Sequence, residues 1–207
     1  MKKTTSLGEL IANAVSHGFG VLLSITALVL LLVKSNTLEE TLATLIFSIS
    51  LILLYLSSTL FHSFPEKMET VVSVFQRFDH SGIFLLITGT YTPFLILALG
   101  TKSAYILLGV LWTLTLIGVI LKSIWIQKYK YVHLAMYLIM GWSIVFIFND
   151  MKAIMGNELL FLIIGGLSYT IGVVFYVSKF KYQHFIWHLF VLTGSIFHFL
   201  CIYLYLL

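Results

Sequence analysis

Apolar runs of about twenty residues follow one another along nearly the whole of this 207-residue chain, separated by short charged turns. No soluble domain hides so much apolar surface: 60% of the residues are hydrophobic, 10% are charged and the mean hydropathy is +1.05. The length accommodates about seven spans of about 20 residues each with short connections. The expected fold is therefore all-α, a polytopic seven-transmembrane helix bundle. It forms one domain over residues 1–207, with no appended soluble module, as a multi-pass protein of the plasma membrane.

The expected spans cover residues 9–33, 41–62, a third starting at 77–80, then 103–121, 132–148, 159–177, and a last one opening at His184. The first apolar run is too long for the core of a signal peptide and lacks a small-residue cleavage site, so it reads as a retained helix. Pro65 stops the second span, and Gly89 and Pro93 are expected to bend the third. Gly165, Gly166 and Gly172 predict close helix contact, since small residues let backbones approach in lipid. Cys201 is the only cysteine, so no internal disulfide is possible.

A formal charge of +4 and a pI near 9.1 raise the question of nucleic acid. The basic residues, however, sit singly or in pairs between apolar runs, a pattern that reports membrane orientation rather than DNA contact. Nine of them, including Lys2, Lys3, Lys67 and Arg77, fall at the N-terminus and in loops two, four and six. Only Lys34, Lys102 and Lys152 fall in the alternate loops. By the positive-inside rule the N-terminus is cytoplasmic and the C-terminus outside. Loop two is read as Glu66, Lys67, Glu69 and Arg77, and loop five as NDMKAIMGNE.

That topology assigns a depth to each polar residue. Glu9, Asn13, Ser16, His17 and Gly20 recur at three- and four-residue spacing on one face of the first span, and lipid offers such a face no partners. His62 ends the second span, Asp79 begins the third, and His184 and His188 begin the last. All of these ends share the cytoplasmic side. His184 and His188 are one helical turn apart, the spacing with which two imidazoles grip one metal ion. With His62 they supply three nitrogen ligands and leave room for an oxygen ligand. Three imidazoles favour zinc, although copper, nickel and iron bind similar sets. Asp79 either binds directly or holds a water as general base, and Ser58, one turn before His62, is placed to orient that water or to hydrogen-bond a ligand. There is no HExxH motif, because Phe185 follows His184, so the base must come from another helix.

Other histidines read differently. A lone membrane histidine more often bonds a neighbouring helix than a metal, which is the expectation for His17, His80 and His133. His80 points about 100° away from Asp79 around the helix, so the two are not expected to serve one centre. His198 lies about 15 Å beyond His188 and is expected to bond another helix or line a cavity.

The stretches ELIANAVSHG, SSTLFH, RFDHSGIFLLITGTYTPF and HFIWHLFVLTGSIFHF together resemble the bacterial haemolysin III family, within the progestin and adipoQ receptor superfamily of seven-helix proteins. The resemblance spans essentially the whole chain. It implies a zinc ion held by His62, His184 and His188, with Asp79 reaching it through water and Ser58 nearby, on the cytoplasmic side. The similar adiponectin receptors and alkaline ceramidases imply zinc-dependent hydrolysis of a lipid amide. This chain lacks the long N-terminal domain of those receptors, so hormone binding does not carry over.

Three functions are thereby in play. One is an intramembrane zinc hydrolase whose lipid substrate enters sideways between helices. A second is a membrane sensor with structural zinc. The third is a lytic pore, for which the polar residues, clustered at one end, make a poor continuous path. Membrane lipids are the expected partners; no nucleic acid is, and no protein partner is predictable.

Overall fold

The computed structural model describes residues 6–65, 67–126 and 128–207, and all regular structure among them is helical. Lys2, Lys3 and Glu66 lie outside the described residues. The α-helices are α1 (Leu7–Lys34), α2 (Leu38–Ser63), α3 (Glu69–Pro93), α4 (Lys102–Ile124), α5 (Lys130–Gly141), α6 (Phe148–Met155), α7 (Leu159–Val177) and α8 (Gln183–Cys201). Six helical stretches are long and apolar enough to cross a membrane, one of them running from Lys130 to Val177.

Local chemistry sets the boundaries. Ser6 and Glu9 close a capping box on α1, and Thr37 and Glu40 close another on α2, each satisfying donors that a helix start leaves unpaired. Phe64, the residue before Pro65, is extended at ψ 135°, as the proline ring requires, and α2 ends there. Pro93 cannot donate to the helical ladder, and the chain continues from it as a π-helical segment, Phe94–Leu99, ending at Gly100 with φ 57°.

Two boundaries differ from expectation. α3 begins at Glu69, so Glu69 and Arg77 are helical rather than part of a loop. No breaker follows Met68, and the Arg77 guanidinium is satisfied in place, donating to the Ser73 carbonyl at 2.9 Å and the Ser123 carbonyl at 3.0 Å. Most of the expected fifth loop, residues 149–155, is helical as part of α6, with Met151 and Met155, one turn apart, buried on one face.

Polar side chains join a buried apolar core inside the bundle, while the outer faces of the helices are apolar. On α1, Asn13, Ser16, His17, Gly20 and Ser24 are buried, while Val15, Phe19 and Leu22 are exposed. That is the inverse of a water-soluble helix and suits a lipid surround. α7, α8, α1, α2 and α3 pack in succession, with α4 and α5 against α3. Glycines permit the closest approaches: Gly165 lies under the His198 ring, Gly172 against Trp187 and Phe190, and Gly89 against Ser50. Gly166, by contrast, has open space where a Cβ would be, so it is no packing contact.

A side chain at Gly89 would collide with both the hydroxyl and the Cβ of Ser50 on α2. Gly89→Leu should therefore cost about 1–3 kcal/mol through overpacking. The expected result is a lower midpoint in thermal unfolding of the detergent-purified protein, while Gly166→Ala, inside α7 with room for its methyl group, does not lower it.

Candidate metal centre

Three helices deliver the site. The last turn of α2 carries His62, with Ser58 one turn earlier; α3 carries Asp79 and His80; the first two turns of α8 carry His184 and His188. The start of α8 is fixed from α1. Tyr182, in the left-handed region at φ 62°, donates its backbone N–H to the Glu9 carboxylate at 2.9 Å. Glu9 thus cements the turn before His184, besides closing its own capping box.

His62, His184 and His188 offer nitrogens that all lie within 4.8 Å of one another. That spacing is close to the ~4 Å that two ~2.0–2.1 Å bonds to one ion can bridge. Their ring centroids are 5.0 Å (His62 to His184), 5.2 Å (His62 to His188) and 4.6 Å (His184 to His188) apart, with planes inclined by 57–64°. The rings converge on one point instead of stacking. Nε2 of His62 and Nε2 of His184 are buried without any hydrogen-bond partner. A buried nitrogen left unpaired is costly, and an ion between the rings would answer both. The residues present therefore fit a bound metal.

Asp79 is buried and lines the same cavity as His184 and His188. Ser58 neighbours the Asp79 carboxylate but makes no hydrogen bond of normal geometry. His80 Nε2 lies 4.0 Å from Asp79 Oδ2, so the two side chains meet despite their angular separation on the helix. His80 is not one of the three histidines whose nitrogens come together.

His17 and His133 do not behave as helix-to-helix hydrogen bonders. Both are buried, and neither ring has a hydrogen-bond partner on either nitrogen. His17 lies flat on His188, centroids 3.4 Å apart and planes within 12°. The sequence placed His17 at the right depth but carries no signal for that stacking. His198 donates through Nε2 to the Leu162 carbonyl at 3.2 Å, joining α8 to α7 as expected.

From the histidines a cavity of about 510 Å³ extends between α3, α5, α7 and α8. Along α8 it is lined from His184 to His198, a length of about 21 Å at 1.5 Å per residue. Its walls are mainly apolar, with Ile83, Ile87, Leu138, Leu162 and Val173 among them. α5 and α7 make little direct contact. Trp142 and Val145 on one side of that gap, and Ile163 and Leu167 on the other, line the cavity and are also exposed on the outer surface. The cavity thus opens sideways.

A family model described as "Haemolysin-III related" matches residues 8–199. The chain is similar to "Hemolysin-3" of Bacillus cereus, 38% identical over 100% of this chain and 95% of the relative. It is similar to the "Hemolysin-3 homolog" of Bacillus subtilis (strain 168), 40% identical over 97% of this chain and 95% of the relative. It is also similar to the human "Monocyte to macrophage differentiation factor", 33% identical over 94% and 83% of the two chains.

Proposed function

From the premise that this chain belongs to the haemolysin-III related family of multi-pass membrane proteins, we propose that it is a zinc-dependent hydrolase cleaving an amide bond in a membrane lipid. The observation that carries the reading is a histidine trio, with an aspartate beside it, at the end of a laterally open apolar cavity. Bound zinc, held by His62, His184 and His188, would polarise the scissile carbonyl and acidify water. Asp79 takes the proton of the attacking water and returns it to the departing amine. Ser58 steadies the Asp79 carboxylate. The walls of α3, α5, α7 and α8 hold the acyl chain and keep bulk water from the reacting end. Lipid enters through the gap between α5 and α7.

The same reading includes seven crossings with the N-terminus in the cytoplasm. The helical stretch from Lys130 to Val177 has 48 residues, about 72 Å if continuous, more than twice the ~30 Å hydrocarbon core. It is interrupted by a 3₁₀ segment, Trp142–Ile147, and by Gly156 at φ 43°. Two crossings therefore fit along it, one made of α5 continued by the 3₁₀ segment to Ile147 and one of α7, and the excess of lysine and arginine in alternate loops sets the orientation.

Gly166 faces the cavity with nothing within 4 Å of a Cβ, so Gly166→Phe places a ring where the acyl chain would lie. Incubating wild type and variant with ceramide-containing vesicles and following the products by mass spectrometry tests the reading. Wild type should release fatty acid and amine, and the variant should do so at least about tenfold more slowly with its metal content unchanged. No released product from metal-loaded wild type on any lipid amide would overturn the hydrolase.

A further inference from the structure

The polar face of α1 enters no step above, yet it touches one of the metal ligands directly. Ser16 Oγ is 3.0 Å from Nδ1 of His188 and 2.9 Å from the Asn13 carbonyl. A carbonyl only accepts, so the single hydroxyl proton of Ser16 is committed to Asn13. The Ser16 oxygen must then accept from His188, which places the proton of His188 on Nδ1 and leaves Nε2 with its lone pair. Ser16 is itself buried, so water does not compete for the contact.

A second contact fixes the same ring. His17, the residue after Ser16, covers one face of His188. His17 in turn meets Tyr55 edge to face, at 5.0 Å and 80°. The Tyr55 hydroxyl donates to Ser195 at 2.7 Å, about two turns along α8 from His188. The ring of His188 is thereby held in rotation by Ser16 and in tilt by His17.

We infer that the Asn13 carbonyl and Ser16 hydroxyl form a relay that selects the Nε2 ligand tautomer of His188, making Ser16 a positioning residue for the metal. This rests on the metal reading above. Outer partners of ligating histidines fix the tautomer and raise the basicity of the ligating nitrogen. α1 carries none of the three histidine ligands, and its role is to make one of them competent.

The test uses the full-length protein in detergent, stripped of metal and titrated with Zn²⁺ against a chromophoric chelator, and separately loaded with Co²⁺ for its visible spectrum. Ser16→Ala is expected to weaken Zn²⁺ binding by about 10–100-fold and to alter the Co²⁺ ligand-field bands. Ser16→Thr, which keeps the hydroxyl, is expected to bind as wild type does. Should the alanine variant fail to fold, Ser16→Cys, of similar size but a weak acceptor, takes its place, with the same loss expected. Wild-type affinity together with an unchanged Co²⁺ spectrum in the alanine and cysteine variants would overturn the relay while leaving the metal reading intact. A wild-type protein that takes up no metal would remove both.

Discussion

His188→Ala is expected to lose stoichiometric metal. His188 supplies one corner of the trio, approaching both His184, along α8, and His62, across from α2. Removing it leaves two imidazoles, and among the described residues no other histidine, cysteine or carboxylate completes a group of three with them. The loss in affinity should exceed the ~10–100-fold associated with outer partners alone. It should also exceed the effect of His198→Ala, since His198 serves a helix-to-helix bond to Leu162. Metal analysis of the purified proteins by mass spectrometry reads this directly. Wild type and His198→Ala should carry metal and His188→Ala should not, while all three elute as the same species in size exclusion. Equal metal in the His188 variant would show that the ion is held elsewhere.

Asp79→Asn should separate binding from chemistry. The substitution keeps size and shape but removes the acceptor that takes a proton from water. Asp79 is buried, lines the cavity and lies outside the trio of imidazoles that closes on itself. Metal content should accordingly stay at the wild-type level, while turnover of a lipid amide falls by about 10²–10⁴-fold, the range of a positioned general base. A matching Ser58→Ala change should fall well short of that loss, because Ser58 neighbours the carboxylate without a hydrogen bond of normal geometry to it. Undiminished turnover by Asp79→Asn would remove the aspartate from the mechanism.

Much of this architecture was legible in the residues because membrane burial makes polar groups conspicuous. The i, i+4 spacing of His184 and His188 specifies a shared helix face. Alternating topology brings His62 and Asp79 to the same layer without any contact being known. Less legible were relations set by side-chain geometry rather than by depth. The stacking of His17 on His188 depends on the crossing of α1 and α8, and the meeting of His80 with Asp79 depends on the length of the imidazole arm. The early start of α3 escaped because Arg77 resembles a loop charge until its carbonyl partners on Ser73 and Ser123 are seen. Gly166 escaped because a glycine facing empty space and one facing a neighbouring helix read identically in sequence.

Coordination of the metal by the three histidines can be read directly. X-ray absorption at the zinc edge, on wild-type protein purified with its metal, should show three imidazole nitrogens at about 2.0–2.1 Å and one oxygen donor. A first shell with fewer than three imidazoles, or one containing sulfur from Cys201 or a methionine, would contradict it.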